Sequence, residues 1–203
     1  MIAIVDYGMA NLRSVQKAFE AVGHAAVITS DPAVVAGAAK VVLPGVGAFR
    51  DAAARLHEAG FAGVIRDHIA ADKPFLGICL GLQLLFDRSL EDGEHRGLGI
   101  FAGDVVRFAP RPGLKVPHMG WNMLRFTGSD CRLFHDLPAD PAVYFVHGYY
   151  AVPADPTLTV AVADYPDGFC AAIQRGNTYA VQFHPEKSQD VGLTMVRNFA
   201  QIG

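Results

Sequence analysis

The sequence predicts an open α/β sandwich of three layers, whose mostly parallel central sheet is extended toward the C-terminus by antiparallel strands. Three observations lead there. Short apolar runs alternate with helical periodicity through the first half, Gly and Pro punctuate the boundaries, and the second half packs strand-like runs close together with short turns. Strands separated by helices imply right-handed crossovers and a parallel sheet covered on both faces.

Taken in order, residues 2–5 (Ile-Ala-Ile-Val) form a short apolar run and predict the first strand. From Asn11 a helix follows, with Leu12, Val15, Phe19 and Val22 on one face and Gly23 at its end. Residues 25–28 predict a second strand, and Asp31-Pro32 the cap and first residue of a short helix. Residues 40–43 predict a buried strand stopped by Pro44-Gly45. An Ala-rich helical stretch spans residues 49–71 with a break near Gly60, then residues 75–78 predict a strand and 80–86 a helix. Further strands are predicted at 143–146, 159–163, 169–174 and 178–183, with Asp167-Gly168 and Gly176-Asn177 as turn signals. An amphipathic helix with Val191, Met195 and Phe199 on one side closes the chain.

The 203 residues suffice for one domain with a sizeable core, and no linker, low-complexity tract or internal repeat divides them, so a single domain over 1–203 is expected. Half the residues are hydrophobic (51%) and 18% charged, which argues against disorder. Seventeen basic residues against twenty acidic ones give −3, and the basic ones are scattered, so no nucleic-acid footprint is visible. No apolar run reaches bilayer-spanning length, and the first residues lack the pattern of a signal peptide. Cys79, Cys131 and Cys170 are an odd number without the paired spacing of a zinc site, so neither a disulfide framework nor a metal centre is expected. A reducing, cytoplasmic setting is the simplest expectation.

In open α/β sheets, chemistry gathers at the carboxyl ends of the strands. There the sequence places Gly77-Ile78-Cys79-Leu80-Gly81, a strand–turn–helix junction with the pattern of a nucleophile elbow. Cys79 would sit at the start of a helix, where free N–H groups favour the thiolate, the nucleophilic form. Against this stands the ordinary fate of a free cysteine, a small buried hydrophobe, which is the reading preferred for Cys131 and Cys170. A nucleophile needs a base and a group to orient it. His184 at the end of an apolar strand, followed two residues later by Glu186, supplies both if the chain stays extended and the two side chains share one side. The alternative is a satisfied histidine beside a surface carboxylate. Of the other histidines, His57, His68, His95 and His135 look helical or loop-borne and solvated. Pro44-Gly45-Val46-Gly47 follows a buried strand, and its glycines let the Val46 peptide turn an N–H toward a developing oxyanion, with the N–H of Leu80 as the second donor. The run lacks the third glycine of a dinucleotide fingerprint.

Together these pieces resemble the triad-type class I glutamine amidotransferases, whose fold is flavodoxin-like. That family combines a glycine-flanked turn, a G-x-C-x-G elbow followed by Gln, and a late H-P-E; here they are residues 44–47, residues 77–81 with Gln83, and residues 184–186. Asp6-Tyr7-Gly8 with Asn11-Leu12, Pro44-Gly45-Val46-Gly47-Ala48-Phe49, His118-Met119-Gly120-Trp121-Asn122, Tyr144-Phe145-Val146-His147 and Gln182-Phe183-His184-Pro185-Glu186-Lys187-Ser188 are similar to the glutaminase subunits of imidazole glycerol phosphate synthases. Two departures stand out: Leu82 where the family has Met, and Gly148 where it has Ser after the histidine. The resemblance implies that Cys79 forms a thioester with glutamine, that His184 oriented by Glu186 moves protons, and that Val46 and Leu80 hold the oxyanion. It implies substrate contacts at Gly45, Gln83, Gly148 and Tyr149, and no cofactor. It further implies a heterodimer with a TIM-barrel cyclase, which uses the ammonia on a phosphoribulosyl formimino carboxamide ribotide to give imidazole glycerol phosphate and an aminoimidazole carboxamide ribotide. Contact positions would be Asn11, Arg13, Met119, Trp121, Asn122 and Lys187, although Trp121 reads equally as a core aromatic and Lys187 as a solvated lysine. Three rivals remain: an ammonia donor for purine or vitamin B6 synthesis, a free-standing cysteine hydrolase, and a silent binding subunit.

Overall fold

The computed structural model describes residues 1–127, 130–165 and 167–203. In chain order its first half contains β1 (Ile2–Val5), α1 (Leu12–Ala21), β2 (Ala26–Thr29), α2 (Pro32–Ala36), β3 (Lys40–Gly45), α3 (Phe49–Glu58), α4 (Phe61–Ala70), β4 (Phe75–Cys79) and α5 (Leu80–Gln83). The second half adds β5 (Phe86–Ser89), β6 (His95–Arg96), β7 (Phe101–Arg107), β8 (His118–Met123), β9 (Arg125–Phe126), β10 (Ala142–His147), β11 (Tyr149–Pro153), β12 (Thr159–Ala163), β13 (Phe169–Arg175), β14 (Thr178–Val181) and α6 (Gln189–Gln201).

Eight strands form the main sheet in the order β2-β1-β3-β4-β14-β13-β12-β9. β1, β2, β3, β4 and β14 pair in parallel, while β13, β12 and β9 continue antiparallel. The expected parallel sheet with an antiparallel extension is therefore present. Alternation along the strands feeds two cores. Ile2, Ile4, Val42, Leu76 and Ile78 pack with Val15 and Phe19 of α1 and Met195 and Phe199 of α6. Ala3, Val5, Val41, Leu43 and Phe75 pack instead with Val35 of α2, Phe49 and Leu56 of α3, and Phe61 and Ile65 of α4. On the first face Phe19 and Phe199 meet edge-on with centroids 6.2 Å apart. Asp31 caps α2 as expected, its carboxylate accepting the Ala33 N–H at 2.8 Å.

Several expectations are corrected. The helix expected over 80–86 stops at Gln83, and Phe86 opens β5, which pairs in parallel with β7. Leu84, Leu85 and Phe86 are all fully buried, so this apolar run is a crossing between two layers and not a helix face. β3 runs through Pro44 to Gly45, where the proline was expected to end it. Pairing with β1 ends at Val42 while pairing with β4 continues to Gly45, so the N–H that proline lacks would have faced no partner strand. The strand around residues 143–146 does not join the main sheet but pairs antiparallel with β8. A four-stranded sheet, β11-β7-β5-β6, was not anticipated, because Gly103 and Asp104 break the strand pattern of β7. His68, expected to be solvated, is 4% exposed, since Phe61, Ile65 and His68 recur on one face of α4. Among the described residues no helix is long and apolar enough to cross a membrane.

Candidate active site

β4 ends at Cys79, whose backbone sits at φ 55° and ψ −110°. A residue with a Cβ avoids this region, so the strain has to be held by its surroundings. Cys79 is paired with Gly45 of β3 on one side, and α5 turns away immediately after it. A Cβ on Gly81 would overlap the Leu43 carbonyl, so only glycine lets α5 lie this close to β3. The elbow expected from the sequence is thus present, 7% exposed at the cysteine. Its helix is a single turn, which makes the dipole behind the sulfur weaker than a full helix would supply.

His184 and Glu186 meet as expected, with Nδ1–H donating to Oε1 at 2.7 Å and both side chains 2% exposed. The route differs from the expected extended chain. His184 is extended, but residues 185–187 form a 3-10 turn that swings Glu186 back beneath the ring. Serine fixes this turn: Ser188 Oγ donates to the His184 carbonyl at 2.7 Å and accepts the Tyr144 N–H at 3.0 Å, and the His184 N–H donates to the Tyr144 carbonyl at 3.0 Å. The bond to Glu186 sets the tautomer and leaves Nε2, buried and with no hydrogen bond among the described residues, on the Cys79 side. Burial alone would push the His184 pKa down; the neighbouring Cys79 sulfur and Glu186 carboxylate outweigh it and hold the ring at about 9.

Cys79 and His184 open into one cavity of about 210 Å³, which Val46, Leu80, Gln83, Gly148 and Tyr149 also line. Gly45 lies just behind this wall, fully enclosed by Tyr7 and Leu80. Among the expected oxyanion donors, Val46 is turned the other way: its N–H donates to the Met9 carbonyl at 3.0 Å. The expectation fails in this conformation, because a peptide already bonded behind the strand cannot also face the cavity. Leu80, the first helical residue, has an N–H for which α5 offers no acceptor.

Of the lining residues, Glu91 escaped the sequence reading altogether, while Gly47, Val146 and His147 were read as parts of motifs and given no place at the site. Glu91 reaches the cavity from the loop after β5, one carboxylate oxygen accepting the Phe49 N–H at 2.6 Å at the start of α3. No periodicity marks a loop carboxylate, and only the fold brings it there. His147 forms the wall beside Gly148, and burial pushes its pKa down to about 3. His118, 3.2 Å from it, is likewise lowered by burial to about 4. The expected contact positions divide. Met119 and Trp121 point outward from β8, 63% and 49% exposed. Trp121 packs edge-on against Tyr144 at 6.2 Å, and the Lys187 ammonium stands 6.0 Å from the same ring while also lining the cavity. Asn122 turns inward, donating to His118 Nε2 at 3.3 Å and to the Asp164 carbonyl at 3.1 Å. Asn11 borders a crevice that Val46, His184 and Glu186 also line, and Arg13 is exposed, bonded to Gln16 at 2.8 Å.

A relative from Syntrophotalea carbinolica, named imidazole glycerol phosphate synthase subunit HisH, is 55% identical over 210 residues, covering 100% of both chains. One of the same name from Geobacter metallireducens is 52% identical over 204 residues, 98% of this chain and 97% of its own. Among solved structures, PurLQS from Thermotoga maritima superposes with a TM-score of 0.74 over 98% of this chain and 96% of that one; at 18% identity the likeness is one of fold. The family described as glutamine amidotransferase class-I matches residues 3–202. That span leaves no part of the elbow, the cavity wall or the His184 turn outside it, and the chain belongs to the class-I glutamine amidotransferase family.

Proposed function

We propose that the chain is the glutaminase subunit of an imidazole glycerol phosphate synthase, acting as one domain over residues 1–203. One observation carries the chemistry: a strained cysteine and a histidine held at 2.7 Å from a buried carboxylate open into the same cavity. The cavity, at about 210 Å³, is below the ~300 Å³ at which pockets for drug-sized ligands begin, which suits one amino acid. Its rim carboxylate, Glu91, offers an oxygen to an α-ammonium group.

In the mechanism, the Cys79 thiolate attacks the side-chain amide carbon of glutamine and forms a C–S bond. The resulting oxyanion is met by the Leu80 N–H and, once the Gly45–Val46 peptide has rotated away from Met9, by the Val46 N–H. Collapse breaks the C–N bond as His184 gives its Nε2 proton to the departing ammonia. Water then attacks the thioester, His184 takes a proton from it, and the thiolate leaves glutamate behind. Gln83, Gly148 and Tyr149 hold the substrate, with the Gly148 backbone in the place where relatives would present a hydroxyl, while Gly45 acts only from behind the wall. Ammonia must stay neutral and unhydrated to react again, so it passes to a partner. The names of the relatives support a synthase subunit, and the outward Met119, Trp121 and Lys187 suit the face that meets a TIM-barrel cyclase.

The test pairs this chain with the cyclase from the same genome and follows glutamate release with and without the ribotide ligand. Release that rises with ligand and falls at least a thousandfold in Cys79→Ser is expected. Release unchanged in Cys79→Ser, or no rescue of a histidine auxotroph by the pair, would count against the assignment.

A further inference from the structure

The segment carrying His184 brings a second side chain to the sulfur. β14 lies beside β4 in parallel with Val181 opposite Ile78, so the residues that follow, Gln182 just past β14 and Cys79 at the end of β4, stand at the same level. Gln182 is 0% exposed, and its backbone N–H is fixed on the Ala171 carbonyl at 2.8 Å. Its side-chain Nε2 lies 3.6 Å from Cys79 Sγ, within reach of a hydrogen bond to sulfur.

Which end of that amide faces the sulfur is decided two residues away. The Tyr149 carbonyl can only accept, and Gln83 has its Nε2 3.0 Å from it, so that end of Gln83 is the NH2 group. The same Nε2 also donates to Gln182 Oε1 at 3.0 Å. Gln182 therefore turns its oxygen to Gln83 and its NH2 to Cys79. The alternative orientation would set NH2 against NH2 and oxygen against sulfur, leaving buried groups unpaired. A second arm ends on the same carbonyl and holds it in place. His147 Nδ1–H donates to it at 2.8 Å, His118 Nδ1–H donates to His147 Nε2 at 3.2 Å, and Asn122 donates to His118 Nε2 at 3.3 Å.

We infer that Gln182 is a further catalytic residue, whose side-chain N–H donates to the Cys79 thiolate and holds Sγ toward the cavity, with Gln83 and the Tyr149 carbonyl as the positioning groups that fix the amide's direction. The inference rests on Cys79 as the nucleophile. A donor favours the charged sulfur over the neutral thiol, because a hydrogen bond to an ion is the stronger one. It is strongest in the two states in which the sulfur carries charge, before attack and on release from the thioester.

The test is the rate of Cys79 alkylation by iodoacetamide as a function of pH, in the full chain and in Gln182→Met. Methionine keeps the length and removes the donor. At neutral pH the variant should react roughly tenfold more slowly, and at high pH, where the thiol is ionised in both, the two rates should converge. Gln182→Glu, which sets an acceptor against the sulfur, should slow the neutral reaction further. A uniform loss at every pH would mark a structural role, and an unchanged profile would remove the hydrogen bond; either overturns the proposal. Should the variants fail to fold, the unsubstituted chain still decides. By nitrogen-15 NMR the Gln182 side-chain amide should titrate together with Cys79 alkylation and lose that titration in Cys79→Ser; an amide that never titrates overturns the proposal. Neither measurement involves glutamine or a partner. Their failure with glutamate release intact removes Gln182 alone, whereas the reverse outcome removes the functional assignment.

Discussion

A histidine 2% exposed ought to lose its proton, because the interior solvates an imidazolium poorly. His184 does the opposite, held at about 9 by the sulfur and carboxylate at its two ring nitrogens. In the proposed mechanism its charged form gives the proton to departing ammonia, so activity should fall on the alkaline side as that proton is lost. Replacing Glu186 by Gln removes one of the two supports, and the alkaline limb of kcat/KM for the paired enzyme should move to lower pH; a limb that stays put would show that Glu186 does not act on the ring. At the end of β3, a Cβ on Gly45 would stand 2.5 Å from the Tyr7 hydroxyl and 3.0 Å from Leu80 Cβ. Gly45→Ala should therefore cost about 1–3 kcal/mol by urea unfolding, and less in a Tyr7→Phe background. Tyr7→Phe alone should cost almost nothing, since the hydroxyl is buried with no partner among the described residues. Equal costs of Gly45→Ala in both backgrounds would refute the clash.

Among the elements, β8 shows how one strand serves two ends. Met119, Trp121 and Met123 alternate with His118 and Asn122, so the outward side chains are apolar while the inward ones are tied into the histidine chain. Truncating Trp121 to Ala should leave the melting temperature within about 2 °C, because the indole is half exposed. It should nevertheless weaken association with the cyclase by at least about tenfold if the ring is an anchor there. A titration calorimetry series that finds equal affinity would remove Trp121 from that face. The same strand explains why it was illegible beforehand. Gly120 and Asn122 are poor strand formers, and pairing with β10, not propensity, makes the segment extended. α5 is the converse: a helical pattern through Phe86 is cut to one turn by the layer crossing that buries Leu84 to Phe86.

For the molecule as a whole, the titrating histidines set opposite limits on stability. His118 and His147 are lowered to about 4 and about 3, so they are neutral in the fold while the unfolded chain takes up protons below about 6.5. Their contribution is present above pH ~6.5 and is lost as pH falls below it, each adding up to about 1.4 kcal/mol per pH unit to the slope. His184 is raised, so its contribution is present below pH ~6.5 and is lost as pH rises through about 9. Stability measured by urea unfolding should thus peak near pH ~6.5 and fall on both sides, with an acid flank that flattens in His118→Gln. A flank of unchanged steepness would show that His118 is not buried neutral. Both proposed arms of the hydrogen-bonded network end on Tyr149, so whole-molecule integrity and sulfur orientation share that one carbonyl.

By itself the sequence determined the parallel strands, the elbow at Cys79 and the pairing of His184 with Glu186, because each is written in a local pattern: apolar runs between helical periods, glycines flanking one residue, a His and Glu two apart. The tertiary structure alone decided what lies across the sheet. Gln182 reaches Cys79 over 103 positions and Gln83 over 99, and Glu91 bonds Phe49 over 42. Such neighbours leave no period in the chain, since strand order and not spacing brings them together. The direction of the Val46 N–H was also undecided, because the glycines around it permit either orientation and only the Met9 carbonyl selects one.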